Sequence, residues 1–588
     1  MQCPYDGYLK MITTRLRFFG SLAIISTLIG CGRNGESSAP EGTWPFHAEA
    51  LSVTAPRGVV ASDDSIASHT GVEIMRQGGN AVDAAVATAF ALAVTMPEAG
   101  NIGGGGFLVR RLPDGTTAAL DFREKAPLAA RRDMYLDGKG NLTDLSITGH
   151  LATGVPGTVA GLYEVHHRYG HLPWAGVVNP AIRLADEGFI ISKSFSHAIH
   201  DDSVRLVRFP GSAALFLPGG HPVPEGTLWR NRDLAQTLRL IAARGPAGFY
   251  EGETASLIVK EMQRGGGIVS ARDLQEYTTV WRKPIQATYR GYHIISMPPP
   301  SSGGITIAQL ANMLEGYDLP HMPWHSVAHI HLLAETMRRA FADRNYWLGD
   351  PDAVKFPQES MISKSYAATR RATIDQYRAT PSSEVFPGLT PVHEGVHTTH
   401  YSVADSAGTM VAVTTTLNLS FGSAVIVEGA GFLLNNEMDD FAAKPGSPNV
   451  FGLVQGEANA IAPGRRILSS MSPTVVLDAA GAPVLITGAS GGPRIITATF
   501  QVISNVLDFH MPVDSAVSAP RVHHQHLPDH LMLEENGFPA ETRKELQAMG
   551  HTLKIIARLG IAPSIARQGN VWRGAADPRN AAGCAAGY

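Results

Sequence analysis

The chain is organised around His397-Thr398-Thr399-His400-Tyr401-Ser402-Val403-Ala404-Asp405. Apolar and β-branched side chains recur in this stretch at a period near two, which predicts a β-strand. Ser406-Ala407-Gly408 is a short turn, and Thr409 to Thr416 read as the return strand of a hairpin. The return strand ends in three consecutive threonines, so we expect them to lie opposite the threonine pair that opens the first strand.

A threonine pair at the start of a strand suits a hydrolase whose nucleophile is the N-terminal residue of a cleaved chain. In that chemistry the chain is cut before one threonine, its hydroxyl attacks the substrate, and its freed α-amine is the base. Such an amine has a pKa of about 8, so it exchanges protons near neutral pH. Packing offers a simpler interpretation of the same residues, because threonine is common on pleated sheets.

A metal site is a further alternative for this region. His393, His397 and His400 have a spacing like that of metal ligands. Two of them would share a face only on a helix, and Thr-Thr-His-Tyr-Ser-Val is a poor helix former. These residues by themselves leave the packing and nucleophile interpretations open and make a metal site the weakest of the three.

Further motifs occur in a fixed order along the chain. They are Asp121-Phe122-Arg123-Glu124, Gly154-Val155-Pro156-Gly157, Met297-Pro298-Pro299-Pro300-Ser301-Ser302-Gly303-Gly304, Asn435-Asn436-Glu437-Met438-Asp439-Asp440-Phe441, Leu468-Ser469-Ser470-Met471-Ser472-Pro473-Thr474 and Gly491-Gly492-Pro493-Arg494-Ile495-Ile496. With the threonine hairpin, from about residue 52 to the C-terminus, the chain resembles the γ-glutamyltransferase family. The resemblance implies a four-layer αββα sandwich, typical of N-terminal nucleophile hydrolases and formed jointly by a large and a small subunit.

The resemblance also implies the roles of individual residues. Thr398 matches the nucleophile, and Thr416 matches a second threonine that hydrogen-bonds to it. Gly491 and Gly492 match the oxyanion hole, where a glycine pair lets backbone N–H groups approach a developing negative charge. The residues that match the binding pocket are Arg123, Ser469 and Ser470 for the α-carboxylate of the γ-glutamyl group, and Asn418, Glu437 and Asp440 for its α-ammonium.

Two positions depart from the pattern of some family members. Glu437 replaces a glutamine found in some bacterial members, although other members also have glutamate. Phe451 stands where several bacterial members carry a tyrosine that gates the pocket, within a lid of about Phe441–Gly452. Phenylalanine cannot make the tyrosine's hydrogen bond toward Asn418, so we expect a looser lid.

The N-terminus has the pattern of an export signal over residues 1–31, with Met11 as a possible true start. An apolar stretch, Phe18–Gly30, follows two arginines and is too short for a spanning helix. It ends in Leu28-Ile29-Gly30-Cys31, which resembles a bacterial lipobox with Cys31 as the lipidated residue. A plain secretory signal, in which Cys31 is incidental, is the alternative. We expect a periplasmic protein whose only link to the membrane is the lipid.

Length and charge limit the remaining possibilities. The chain has 588 residues, and its 48 basic and 52 acidic residues give a net charge of −4. This balance gives no electrostatic reason to expect binding to nucleic acid or to an anionic membrane surface. Three cysteines provide no disulfide framework. We expect a tether over residues 32–45, a large subunit over 46–397 and a small catalytic subunit over 398–588, associated as a heterodimer.

The resemblance to that family implies a self-cleaving γ-glutamyltransferase and glutathione hydrolase that needs neither a metal nor an organic cofactor. Cleavage is expected between His397 and Thr398. The substrates would be glutathione and other γ-glutamyl compounds, and the acceptors water, an amino acid or a dipeptide. Two alternatives remain open: a cephalosporin (glutaryl) acylase on the same fold, and a non-catalytic binding lipoprotein.

Local patterns predict several elements outside the hairpin. Asn80 is expected to cap a helix over Ala81–Thr95, with Asp83 in its first turn. A second helix is predicted to begin at Pro180 after an Asn179 cap. Strands are expected near Ala287–Ser296 and over Gly431–Asn435, and an exposed loop over 378–397.

Overall fold

Two seven-stranded sheets form the centre of the computed structural model, which describes residues 44–46, 51–387, 398–444 and 457–588. The strands are β1 (Ser52–Ala55), β2 (Gly58–Ser62), β3 (Gly105–Arg111), β4 (Thr117–Phe122), β5 (Phe189–Ile190), β6 (Leu228–Trp229), β7 (Val280–Arg282), β8 (Ile285–Tyr289), β9 (Tyr292–Ser296), β10 (Thr399–Asp405), β11 (Met410–Thr416), β12 (Thr474–Leu477), β13 (Pro483–Thr487), β14 (Val522–His523), β15 (Leu531–Glu534), β16 (Leu553–Ile556), β17 (Ser564–Gln568), β18 (Val571–Ala575) and β19 (Cys584–Gly587).

The helices of the described residues lie mainly outside the two sheets. They are α1 (Ser65–Arg76), α2 (Ala81–Thr95), α3 (Thr158–Tyr169), α4 (Trp174–Glu187), α5 (Lys193–Asp201), α6 (Ser203–Leu206), α7 (Pro210–Phe216), α8 (Arg232–Arg244), α9 (Ala247–Tyr250), α10 (Gly252–Gly265), α11 (Ala271–Gln275), α12 (Gly303–Leu314), α13 (Val327–Trp347), α14 (Gln358–Met361), α15 (Lys364–Arg371), α16 (Arg494–Leu507), α17 (Val513–Ser518) and α18 (Ala540–Ala548). None of them is long and apolar enough to cross a membrane.

Both large sheets contain strands from either side of position 398. One, the β10 sheet, has the order β19-β2-β10-β11-β3-β4-β7, and the other, the β13 sheet, has the order β1-β18-β17-β13-β12-β9-β8. All neighbouring strands within these two sheets are antiparallel. Each sheet therefore depends on both segments of the chain, which confirms the expectation of a jointly formed sandwich.

The strand alternation separates two hydrophobic cores. Val403 and Val411 of the β10 sheet pack into a core shared with α2 and α4. Ala404 and Ala412, one residue further along, pack into a second core that contains Val475 of the β13 sheet and residues of α12 and α16. Because alternate side chains of a strand point to opposite faces, the layers run helix, β10 sheet, β13 sheet, helix. This is the predicted αββα arrangement.

The helix over Ala81–Thr95 forms as the sequence predicts. The side chain of Asn80 accepts from the N–H groups of Val82 and Asp83, and Asp83 accepts in return from the Asn80 N–H. This capping box satisfies donors that the first turn of a helix leaves unpaired. Every residue of α2 is buried, so the helix sits directly on the β10 sheet.

One local prediction was wrong in its boundary. The helix expected at Pro180 begins at Trp174, and Pro180 lies inside it. Burial of Val177 and Val178 against the first core favours the earlier start despite the hydrogen bond that proline removes.

The strands expected near Ala287–Ser296 are present as the hairpin of β8 and β9. The hairpin turns at Arg290 and Gly291, which both have positive φ, as is typical of a two-residue hairpin loop.

Two further predictions need correction. Gly431–Asn435 is not a regular strand, and its one bridge joins Ile426 to Leu433. The loop predicted over 378–397 is described only to residue 387, and that part is anchored by Ser382. The N–H of Ser382 donates to Asp529 over 2.7 Å, and its hydroxyl accepts from Arg338 over 2.7 Å.

Candidate active site

The register of the central hairpin places the two candidate threonines across from each other. β10 pairs with β11 through Thr399 and Thr415, and the same register continued by one residue sets Thr398 opposite Thr416. Thr398 is half-buried, whereas Thr416 is buried. The hydroxyl of Thr416 accepts from the N–H of Asn418 over 2.8 Å. The hairpin therefore brings together the residues expected to be the nucleophile and its hydrogen-bonding partner.

A buried arginine with three carboxylates lies beside the hairpin. Arg123 follows the last residue of β4, and its Nη1 is 2.7 Å from Glu437 Oε2 and 3.2 Å from Glu124 Oε2. Its Nη2 is 2.7 Å from Asp440 Oδ2. Glu437 and Asp440 occupy the two ends of a single 3₁₀ turn, so one short element supplies both acceptors. The structure therefore brings Arg123, Glu437 and Asp440, three of the predicted site residues, into one buried cluster.

Burial shifts the pKa values of the carboxyl groups around Arg123. It raises the pKa of Glu437 well above its ordinary value, that of Glu124 to about 7, and that of Asp440 to a lesser extent. The positive charge of Arg123 opposes all three shifts. Three carboxyl groups near one guanidinium leave acceptor capacity that a second cation, such as a substrate ammonium, can use.

The serine pair lies next to the same arginine. Arg123 donates through Nε to the Ile467 carbonyl over 3.1 Å and through Nη2 to the Leu468 carbonyl over 3.2 Å. These carbonyl groups immediately precede Ser469 and Ser470. The arginine thus fixes both the acidic turn and the start of the serine segment.

A second buried arginine, Arg344 of α13, holds the serine pair in place through hydrogen bonds. Its Nη2 donates to Ser470 Oγ over 3.1 Å, and its Nε donates to Ser302 Oγ over 3.0 Å. The N–H of Ser302 donates to the carbonyl of Ser469 over 2.6 Å. Because Ser470 Oγ accepts from a guanidinium, its own proton is directed toward an acceptor such as a carboxylate. The Pro-Pro-Pro-Ser-Ser-Gly-Gly segment thus supports the serine pair through Ser302.

The glycine pair connects β13 to α16. Gly491 has φ 122° and Gly492 has φ 65°, conformations that favour glycine. A Cβ at Gly491 would lie 2.9 Å from the Cα of Gly560, so there is no room for a larger residue. Both positions therefore require glycine for their backbone conformation, and an oxyanion hole at this turn stays a prediction.

Comparison with known proteins gives an independent result. A family model described as gamma-glutamyltranspeptidase matches residues 67–587. The chain belongs to the γ-glutamyltranspeptidase family. It is 47% identical over 540 residues to the glutathione hydrolase proenzyme of Escherichia coli, covering 91% of this chain and 93% of that protein. It is also 45% identical over 583 residues to a glutathione hydrolase proenzyme of a Pseudomonas species, covering 97% and 99%.

The fold extends to other enzymes related to the γ-glutamyltranspeptidase family. A crystal structure of a cephalosporin acylase from Bacillus halodurans superposes with a TM-score of 0.84 at 28% identity. The match covers 94% of this chain and 99% of that one. The sandwich alone therefore does not separate γ-glutamyl transfer from acylase chemistry, and the choice depends on the pocket.

His400 has a structural position in this member of the γ-glutamyltranspeptidase family. Its Nδ1 lies 2.8 Å from Thr414 Oγ1 and its Nε2 lies 3.1 Å from Ser402 Oγ. Burial lowers its pKa to about 3. No group of three His, Cys, Asp or Glu residues within the described ranges could hold a metal ion. His393, the other histidine considered with His397, lies outside those ranges.

Sequence reasoning missed three residues that the fold adds to the site. Glu124 follows Arg123 directly and could have been identified from that motif. Arg344 and Asp63 gave no local signal, because they reach the site from a long helix and from the end of β2. Three predicted residues, His397, Phe451 and Cys31, lie outside the described residues.

Proposed function

We propose that the protein is a γ-glutamyltransferase and glutathione hydrolase produced as an inactive precursor. The observation that carries this proposal is the buried Arg123 with Glu437 and Asp440, adjacent to the threonine hairpin. A γ-glutamyl group has an α-carboxylate and an α-ammonium on one carbon. Recognition of both charges requires a cation and anions at short separation, and this cluster supplies them.

The first reaction is cleavage of the chain's own peptide bond. Thr398 Oγ attacks the carbonyl carbon of His397, and the peptide nitrogen becomes the leaving group. Water then hydrolyses the resulting ester, which leaves residue 397 as a carboxylate and Thr398 with a free α-amine. The products are the fragment that contains the large subunit, 46–397, with its N-terminal tether, and the small subunit, 398–588, held together by the shared sheets.

The second reaction transfers the γ-glutamyl group. The α-amine of Thr398 takes the hydroxyl proton as Oγ attacks the γ-carbonyl carbon, and it gives that proton to the departing nitrogen. The N–H groups at Gly491 and Gly492 stabilise the developing oxyanion. Cysteinylglycine leaves glutathione, and water or an amine then releases the γ-glutamyl group from the threonine ester. Thr416, opposite the nucleophile, holds the Thr398 hydroxyl in position.

Different residues of the pocket bind the two charged groups of the substrate. Arg123, Ser469 and Ser470 bind the α-carboxylate, while Asn418, Glu437 and Asp440 accept from the α-ammonium. The left-handed backbone at Asn418, with φ 74°, is supported by its Nδ2 donating to the Asn436 carbonyl over 3.0 Å. In the structure Asp440 contacts Arg123 directly. Substrate entry would replace this ion pair by two others, one between Arg123 and the α-carboxylate and one between Asp440 and the α-ammonium.

An acylase remains the second candidate, because one structure that matches 94% of this chain is that of a cephalosporin acylase. A glutaryl group has the same terminal carboxylate as a γ-glutamyl group but lacks the ammonium. Burying Asp440 and Glu437 beside an empty ammonium site would leave charge uncompensated, which is unfavourable. The acidic turn therefore favours γ-glutamyl substrates. A binding lipoprotein without catalysis would show neither activity.

The proposed location follows from the N-terminal sequence. Residues 1–31 direct export, Cys31 carries the lipid, and residues 32–45 tether the enzyme in the periplasm. Labelling with a radioactive fatty acid tests the anchor, with Cys31→Ser as the comparison. Label retained in that variant would contradict lipidation at Cys31.

A gel and an N-terminal sequence test the central proposal. Wild-type protein should give two bands, with a small subunit that begins Thr-Thr-His-Tyr. Thr398→Ala should remain a single full-length band, and Thr398→Ser should still be cleaved because it keeps the hydroxyl. Cleavage in Thr398→Ala, or a different small-subunit terminus, would show that another residue performs the reaction.

A further inference from the structure

Asp63 lies at the end of β2, which is the neighbour of β10 in the sheet. Its Oδ2 accepts from the hydroxyl of Thr399 over 2.8 Å. Asp63 and Thr399 are both almost fully buried. We propose that Asp63 is a positioning residue for the nucleophile, because it fixes the residue that directly follows Thr398.

The contact crosses the predicted cleavage point. Asp63 belongs to the proposed large subunit, while Thr399 and His400 begin the proposed small subunit. The strand pairing of β2 with β10 ends at Ser62 and Tyr401, so the sheet's own hydrogen bonds do not hold the first residues of β10 on this side. The side chain of Asp63 adds a hydrogen bond between the two segments beyond the end of this pairing, closer to Thr398.

The other carboxylate oxygen of Asp63 also needs an explanation. Asp63 Oδ1 is buried and has no hydrogen-bond partner among the described residues. An unsatisfied buried carboxylate oxygen is unfavourable for folding. Burial raises the pKa of the Asp63 carboxyl to about 7, and the hydrogen bond from Thr399 opposes that rise. The contact with Thr399 therefore helps to compensate the burial of this carboxyl.

The adjacent residue provides a matched comparison. Asp64 Oδ1 accepts from the hydroxyl of Thr95 over 2.8 Å, also in a buried position, and it accepts from the Ala67 N–H as the cap of α1. The Thr95–Asp64 bond has the same chemistry as the Thr399–Asp63 bond. It lies wholly within the large segment and does not contact β10.

The test replaces each threonine by valine in the full chain and follows self-cleavage on a gel. Thr399→Val should slow cleavage by about ten- to a hundredfold, because it removes a hydrogen bond to a buried carboxylate. Asp63→Asn keeps an acceptor oxygen for Thr399 but loses the charge, so it should slow cleavage by less. Thr399→Ser keeps the hydroxyl and should cleave at close to the wild-type rate. Thr95→Val should lower the melting temperature while cleavage remains at the wild-type rate.

A kinetic measurement on the cleaved proteins adds a second readout that rests on the proposed γ-glutamyltransferase function. For a γ-glutamyl anilide, Thr399→Val should lower kcat by about tenfold or more with KM unchanged, because the nucleophile and not the pocket is displaced. Cleavage and kcat at wild-type values in both Thr399→Val and Asp63→Asn would overturn the proposal. Equal slowing by Thr95→Val would do so as well, since a general loss of stability would then be sufficient. If the anilide is not hydrolysed even by the wild type, the proposed function fails, while the gel still decides the role of Asp63.

Discussion

Replacing Asp440 by asparagine should remove the preference for a substrate that carries an α-ammonium. Asp440 Oδ2 lies 2.7 Å from Arg123 Nη2 in a buried cluster, and asparagine has nearly the same shape without the charge. The variant therefore tests charge recognition and not packing. The informative comparison is between a γ-glutamyl anilide and a glutaryl anilide, which differ only in the ammonium.

The expected loss follows from the burial of the charge pair. Removing one partner of a desolvated pair costs about 2–5 kcal/mol, so kcat/KM for the γ-glutamyl substrate should fall by about 30-fold to about 4,000-fold. The glutaryl substrate has no ammonium to lose. Its carboxylate meets an Arg123 that is less neutralised by neighbours, so its kcat/KM should stay constant or rise.

Asp439→Asn is a matched control within the same 3₁₀ turn. Asp439 is also buried, but its Oδ1 accepts from Ser146 Oγ over 2.6 Å, whereas Asp440 contacts Arg123. Self-cleavage should be the same in both variants, since no substrate takes part in it. Kinetics are to be measured on cleaved protein with both anilides.

An equal loss on both substrates would refute the assignment of Asp440 to the ammonium. It would mean that the residue mainly holds Arg123 for carboxylate binding. A wild-type enzyme that prefers the glutaryl anilide would instead support the acylase interpretation of the family fold.

Three further predictions concern the supporting residues. Arg344→Met should raise KM for the γ-glutamyl anilide by about tenfold or more with little change in kcat, because Ser470 loses a charged donor. An unchanged KM in steady-state assays would show that Arg344 does not support substrate binding. Phe451→Tyr should slow release of the γ-glutamyl group and alter the ratio of glutamate to transfer product with glycylglycine, since a lid hydrogen bond is worth about 1 kcal/mol; identical ratios would show that Phe451 is not the gate. The pKa of His400 is lowered by burial from 6.5 to about 3, so the unfolded chain binds a proton that the folded chain does not. The stability that neutral, buried His400 contributes is complete above pH 6.5 and is lost as the pH falls toward 3, by about 1.4 kcal/mol per pH unit. Urea unfolding at pH 7.5 and 5.5 should detect this loss. The loss should be smaller in His400→Gln.

The sequence by itself determined the elements whose causes are local. The hairpin of β10 and β11 follows from side-chain alternation around a short turn, and α2 follows from the capping box at Asn80 and Asp83. Ordered motifs also indicated the family and, through it, Arg123, Glu437 and Asp440. These residues could be identified because each stands in a short, recognisable run.

Secondary-structure predictions from local patterns were wrong where tertiary packing determined which of several allowed conformations forms. Pro180 is favourable at the first position of a helix, but α4 begins at Trp174 because an earlier start buries Val177 and Val178. Likewise, Gly431–Asn435 reads as a strand, yet Asn435 instead donates through Nδ2 to the carbonyl groups of Gly103 and Gly154, each over 2.8 Å. Neither partner is visible from the sequence window that contains the asparagine.

Only the tertiary structure decided which distant side chains complete the site. Asp63 meets Thr399 across 336 positions of sequence, and Arg344 meets Ser470 across 126. A buried arginine in a helix or an aspartate after a strand has no local pattern that distinguishes a site residue from any other. Their importance arises because burial removes water, so each charge must find its partner within the fold, and the strand order and helix packing determine which partner that is.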